Sequence, residues 1–214
     1  MNQLLELVAA LLVLASLRTV AARRLDDYVG GFVLQSLALA ALATLTALAT
    51  GAPDLYLLAA LTLLVKVYLI PRILRRVADE LPVERGVRSV MGHSTSIVVA
   101  LALVLVAFLT APRIGTASDA MSEPRIAVSV GMVLIGLLLL STRRHAVAQL
   151  VGLLTVENGM FAGALAAAPG MPFIVEFGVL LDVLIAVAVI GLLVTLIQRE
   201  LASIDTTELR RLRG

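Results

Sequence analysis

The sequence predicts an all-α protein, a polytopic bundle of about seven transmembrane helices with its N-terminus outside and its C-terminus in the cytoplasm. Hydrophobic residues make up 60% of its 214 residues and charged residues 15%, whereas soluble domains are roughly 45–50% apolar and about 25% charged. The mean hydropathy is +1.04. The apolar stretches reach the roughly 20 residues that a membrane-crossing helix needs, and they lack the alternating polarity of barrel strands.

Seven apolar stretches are the predicted spans. The first lacks a basic region at its start and is therefore predicted to be a retained helix, not a signal peptide. Turns rich in Gly and Pro, at 51–54 and 168–172, separate the second span from the third and the sixth from the seventh. The predicted spans lie at 3–22, 28–50, 55–74, 94–112, 126–142, 146–168 and 172–197.

The basic residues fall mostly on one side of these spans. The pairs Arg23-Arg24 and Arg143-Arg144 follow the first and fifth spans, and only Arg113 and Arg125 fall on the opposite side. Cytoplasmic loops of membrane proteins carry the excess of Lys and Arg. The arginine pairs are therefore predicted to lie at the cytoplasmic face.

The spans divide into two halves of three, at 1–93 and 126–214, joined by a connecting span and outer loop at 94–125. A parallel duplication is one explanation for their shared layout, as in membrane transporters, and chance similarity between Leu- and Ala-rich helices is the other. The corresponding positions are the two arginine pairs, Gln35 and Glu157, Pro53 and Pro169, and Lys66 and Asp182.

Three ionisable residues, Lys66, Glu157 and Asp182, fall near the centres of their spans. Each such group costs about 2.5–3.5 kcal/mol at that depth, so all three must face protein or water. They form either a structural polar cluster or a proton relay. Lys66 is the only lysine of the chain, and a desolvated lysine releases its proton where an arginine does not. This favours the relay; the alternative is that lysine is present only because it fits the space.

The sixth predicted span has two functional faces. Gly152, Gly159 and Gly163 fall within about 40° of each other at 100° per residue and form a predicted packing face. Glu157 points about 140° away from them.

Five further polar residues are predicted to transfer protons or to support the three central groups. For His145, beside Arg143-Arg144, the alternative is an interface residue, and for Glu176 it is a solvated rim position. The five are Gln35, His145, Gln149, Asn158 and Glu176.

Known catalytic and cofactor motifs are missing from the sequence. It has no Walker loop, no HExxH and no dinucleotide-binding Gly pattern, and no Cys for thiolate ligands. The chain is therefore predicted to be no enzyme by itself and to bind no cofactor or metal.

The chain resembles hydrogenase-4 component E over almost its whole length. This family comprises small membrane subunits of formate hydrogenlyase-type, group 4 nickel–iron hydrogenases. The resemblance rests on Gln35-Ser36-Leu37, Lys66-Val67 with Pro71, Glu157-Asn158-Gly159, Asp182 and the closing 209–214 segment. Residues 126–214 are also similar to subunit K of complex I and to the corresponding small subunit of Mrp-type multisubunit sodium/proton antiporters. The complex I pattern places its first glutamate at Leu154, three residues before Glu157.

The resemblance implies a non-catalytic subunit of an energy-converting complex in a bacterial or archaeal cytoplasmic membrane. Its partners are expected to be antiporter-like membrane subunits and a peripheral arm that carries the nickel–iron and iron–sulfur centres. Glu157 and Asp182 are expected to carry protons, with Lys66 relaying or modulating them. Two alternatives stay open: a subunit of a cation/proton antiporter without a redox arm, and a structural spacer without a proton path.

Overall fold

The computed structural model describes residues 2–80, 87, 89–114 and 123–167, and its regular elements in these ranges are helices. They are α1 (Asn2–Ala21), α2 (Leu25–Thr50), α3 (Asp54–Thr62), a π-helix (Leu63–Leu69), α4 (Ile70–Glu80), α5 (His93–Ile114), α6 (Glu123–Thr142) and α7 (Ala146–Ala167). The predicted seventh span, with Glu176 and Asp182, lies outside the described residues.

Six helices of the described part are long and apolar enough to cross a membrane. The third of them is composite, because α3, the π-helix and the start of α4 form one span over Asp54–Arg76. These helices coincide to within a few residues with the first six predicted spans. The chain is a multi-pass membrane protein.

Local sequence determines where α2 begins and ends. Asp26 and Asp27 lie in its first turn, where the positive end of the helix dipole stabilises carboxylates. Gly51 ends it with a φ of 70°, and its N–H donates to the Ala47 carbonyl at 2.8 Å. This left-handed cap is the usual glycine ending of a helix. Pro53 and Asp54 then open α3.

The turns at Arg23-Arg24 and Arg143-Arg144 lie together at one end of the bundle, which we call the double-arginine end. The segment before α5 joins them: the Val87 N–H donates to the Arg23 carbonyl at 3.1 Å, and the Val90 N–H to the Thr142 carbonyl at 2.9 Å. Ser89 and Arg143 form an isolated antiparallel bridge. Three separate parts of the chain are thus hydrogen-bonded at this end.

The helices pack with α2 in a central position, against α1, α3, the π-helix and α7. The most extensive contact is between α6 and α7, while α5 packs on α6 and α1. The uncovered side of α5 is apolar and includes Val98, Leu101, Leu105 and Leu109.

The core consists of two apolar clusters with polar side chains between them. Val20, Phe32, Ile70, Leu139 and Leu154 belong to the cluster nearer the double-arginine end, and Leu12, Leu39, Leu58, Met132 and Phe161 to the cluster nearer the opposite end. In α2, α6 and α7 the change from one cluster to the other falls near the middle of the helix. The residues at this level of the bundle include Gln35, Ser36, Lys66, Glu157 and Asn158, which we call the polar layer.

Candidate functional site

The polar layer contains a buried ion pair between the third span and α7. The Lys66 Nζ lies 2.7 Å from the Glu157 Oε1, and the two side chains are only 3% and 4% exposed. Both residues were predicted as site residues from the sequence, which did not indicate that they meet. The structure brings them together although they are far apart along the chain.

Asn158 and Phe161 complete the surroundings of the Lys66 ammonium. The Nζ donates to the Asn158 Oδ1 at 3.1 Å, and it lies 5.8 Å from the centroid of the Phe161 ring. An ammonium over an aromatic face gains roughly 2 kcal/mol or more when it is desolvated. The lysine therefore has a carboxylate, an amide oxygen and a ring face around it.

The ion pair is stable only as a pair. Removing one partner of a buried salt bridge costs about 3–5 kcal/mol, because the remaining charge is uncompensated. A proton that moves from the Lys66 Nζ to the Glu157 carboxylate removes both charges at once. The site therefore has two states of equal net charge, linked by one proton transfer over 2.7 Å.

The π-helix determines the direction of Lys66. Pro71 follows it, and a proline ring clashes with the carbonyl four residues earlier in an α-helix, here that of Val67. The Ile70 N–H instead donates to the Val65 carbonyl, five residues back. Within this widened segment Lys66 is buried while Leu64 and Tyr68 are exposed. Such π segments occur frequently at functional sites.

The glycine face of α7 lies against α6. A Cβ atom at Gly152 or Gly159 would lie 2.9 Å from a backbone nitrogen of α6, and one at Gly163 would overlap the Ser129 side chain. The Ser129 Oγ donates to the Gly159 carbonyl at 2.7 Å. These residues keep one face of α7 on α6, while Glu157 on another face contacts Lys66.

The other predicted support residues lie at two different depths. Gln35 is in the polar layer, where its Nε2 donates to the Thr19 Oγ1 at 3.1 Å. Gln149 is at the double-arginine end, and its Nε2 donates to the Arg143 carbonyl at 2.8 Å. At 1.5 Å per residue, Gln149 lies about 12 Å along the helix from Glu157. The structure does not bring it to the ion pair.

His145 immediately precedes α7 at the double-arginine end. Its Nδ1 accepts from the Val147 N–H at 3.2 Å, as an N-cap side chain does. Burial lowers the pKa of this imidazole from its ordinary value of 6.5, because desolvation disfavours the charged form. His145 therefore stabilises the start of the helix in its neutral form and has no described contact with Glu157.

Arg143 is a buried cation that the sequence did not distinguish from a loop charge. It is 2% exposed, its Nη2 donates to the Val20 carbonyl at 2.8 Å, and its guanidinium lies 5.9 Å from the centroid of the Tyr28 ring. The neighbouring Arg144 is exposed. Nothing in the sequence of the pair indicates which of the two arginines is inside.

Within the described ranges, no group of three or more His, Asp or Glu side chains comes together as a metal site would require. The candidate functional site consists of Lys66, Glu157, Asn158 and Phe161.

Comparisons with known proteins identify the family. No protein-family model matches the chain, and no solved structure matches it. An uncharacterized protein of Mycobacterium tuberculosis is 32% identical over 211 residues, which are 98% of this chain and 96% of the relative. The hydrogenase-4 component E proteins of Escherichia coli K12 and Shigella flexneri are each 30% identical over 210 residues, covering 97% of this chain and 96% of theirs. The resemblance predicted from the residues is thereby confirmed, and the chain belongs to the hydrogenase-4 component E family.

Proposed function

We propose that the chain is a non-catalytic membrane subunit of an energy-converting hydrogenase, where it takes part in proton translocation coupled to electron transfer in partner subunits. Its place in the hydrogenase-4 component E family supports the type of assembly. The 2.7 Å ion pair between Lys66 and Glu157 in the middle of the bundle carries the proposal of a proton path. Antiporter-like subunits and a peripheral arm with nickel–iron and iron–sulfur centres are the proposed partners.

The proposed transfer uses the two states of the ion pair. A proton arriving at Glu157 neutralises the carboxylate and leaves the Lys66 ammonium with the Asn158 amide oxygen and the Phe161 ring. The lysine then releases its proton, since burial disfavours a charge that has lost its counter-charge. Asp182, near the centre of the predicted seventh span, is the proposed next carrier. The double-arginine end is the proposed cytoplasmic end, in accord with the distribution of basic residues.

A double variant separates a proton carrier from a structural pair. Lys66→Met with Glu157→Gln leaves no buried charge, and replacing both partners of a buried pair is often nearly neutral for stability. We expect this double variant to assemble but to pump protons into inverted vesicles more than about tenfold more slowly than the wild type, because proton transfer by a positioned side chain contributes about 10²–10⁴-fold. Lys66→Arg, which keeps the charge but does not release it, is expected to pump equally poorly.

Glu6→Gln is the matched control, since Glu6 is an exposed carboxylate of α1. It is expected to pump at the wild-type rate. Wild-type pumping in the assembled double variant would show that the pair serves only to hold the helices together.

A further inference from the structure

Several buried polar atoms have unused hydrogen-bonding capacity. Among the described residues they include the Tyr28 hydroxyl, the Gln35 Oε1, the Ser36 and Ser96 Oγ, the Arg143 Nε and Nη1, and the Asn158 Nδ2. Each costs about 1–3 kcal/mol if it stays unsatisfied. Buried polar groups in native proteins are normally paired with protein or with ordered water.

These atoms are distributed unevenly along the bundle. They lie in the polar layer or between it and the double-arginine end, with Tyr28 and Ser96 each in the first turn or so of their helices. Towards the opposite end, the buried hydroxyls of Thr46 and Ser129 are bonded to carbonyls at 2.8 and 2.7 Å. In the described part of the chain, spare polar capacity therefore exists on only one side of the ion pair.

A series of contacts connects the polar layer to the double-arginine end. Gln35 donates to Thr19, the next residue along α1 accepts from Arg143, and Arg143 lies over Tyr28. Tyr28 and Gln35 are seven residues apart and thus share one face of α2. We call Thr19, Tyr28, Gln35, Ser36 and Arg143 the polar seam.

We propose that the polar seam is the route by which protons pass between the double-arginine end and the Lys66–Glu157 pair, carried by water bound to its open polar atoms. The proposal rests on the proposed function and adds the side of the membrane with which the pair communicates. Because α2 packs on both the π-helix and α7, water at Gln35 and Ser36 is within the same layer as Asn158. Arg143 orders water without releasing a proton, since a guanidinium stays protonated in proteins.

The chain contains no Cys, so single-cysteine variants test the route without background labelling. Ser36→Cys and Thr19→Cys are placed in the seam. Ala43→Cys is the matched control, because Ala43 is buried on the same face of α2, two turns nearer the opposite end. The exposed positions Asp26→Cys and Asp54→Cys mark the double-arginine end and the opposite end. The probe is the silver ion, applied to inverted and to right-side-out vesicles that contain the assembled complex.

We expect Ser36→Cys and Thr19→Cys to react in the vesicles in which Asp26→Cys reacts, at least about tenfold faster than Ala43→Cys, since a thiol in apolar surroundings is inert. Lack of reaction in both vesicle types overturns the route, as does reaction from the side marked by Asp54→Cys. The proposed function fails separately: wild-type pumping by the Lys66→Met/Glu157→Gln variant refutes the proton carrier whatever the labelling shows.

Discussion

Lys66 is held by partners that allow it to lose its charge. The Glu157 carboxylate at 2.7 Å can accept its proton, which no arrangement around an arginine would permit. The sequence predicted Lys66 and Glu157 separately, because a charged residue in an apolar stretch is a local feature. Their contact is not local, since it depends on how the third span and α7 are rotated against each other.

A residue-scale prediction concerns His145 and pH. Its pKa is lowered by burial in the folded protein, so the unfolded chain binds more protons as the pH falls through the ordinary value of 6.5. Its contribution to stability is therefore complete above that value and is lost as the pH falls towards the lower folded pKa. We expect the wild type to lose thermal stability from pH 7.5 to about 5.5.

The control is His145→Asn, which keeps a side-chain acceptor at the start of α7 but does not titrate. Thermal unfolding followed by circular dichroism in detergent is expected to show a smaller loss on acidification for this variant. Identical pH profiles for the two proteins would contradict the assigned role.

At the scale of elements, the α6–α7 pair is the most predictable packing of the structure. Helical periodicity places Gly152, Gly159 and Gly163 on one face, and the structure places all three against α6. The π-helix could not be predicted in the same way. Pro71 indicated a disturbed hydrogen-bond ladder, but a kinked helix and a widened turn are both ways to relieve its clash.

A prediction for this element compares two glycines of α6. A Cβ atom at Gly136 would lie 2.6 Å from the Val156 backbone nitrogen, whereas at Gly131 its nearest neighbour is the Ala107 Cβ at 3.6 Å. Gly136→Ala is expected to force the helices apart and lower the free energy of unfolding by about 1–3 kcal/mol. Thermal unfolding by circular dichroism measures the change.

Gly131→Ala is the matched control on the same helix. It is expected to be neutral or to stabilise by up to about 1 kcal/mol, because alanine favours the helix over glycine. Equal destabilisation by the two variants would show that the close contact at Gly136 is not the cause.

For the whole molecule, hydropathy predicted the six described spans well, because each span is defined by its own residues. The organisation of the double-arginine end was not predictable. The positive-inside pattern treats every arginine of a loop alike, yet Arg143 is inside and holds the end of α1 through the Val20 carbonyl. Burial here depends on how three chain segments meet.

Arg143 and Arg144 therefore provide a prediction at this scale. Arg143→Gln is expected to lower the free energy of unfolding by about 1.5–3 kcal/mol, the range for a hydrogen bond from a charged group. Arg144→Gln changes an exposed side chain and is expected to stay within about 0.5 kcal/mol. Denaturation of both variants followed by circular dichroism tests this, and an equal effect of the two changes would contradict the assigned position of Arg143.

The π-helix has a consequence for how this chain is compared with its relatives. A π turn contains about one residue more than an α turn, so the Leu63–Leu69 segment amounts to a one-residue insertion in the third span. A relative without that insertion would have every later residue of the span rotated by about 100°. Alignments that require an uninterrupted span would then pair Lys66 with a position facing another direction. A lysine at the aligned position is therefore a weaker sign of shared chemistry than a lysine accompanied by the same helical irregularity.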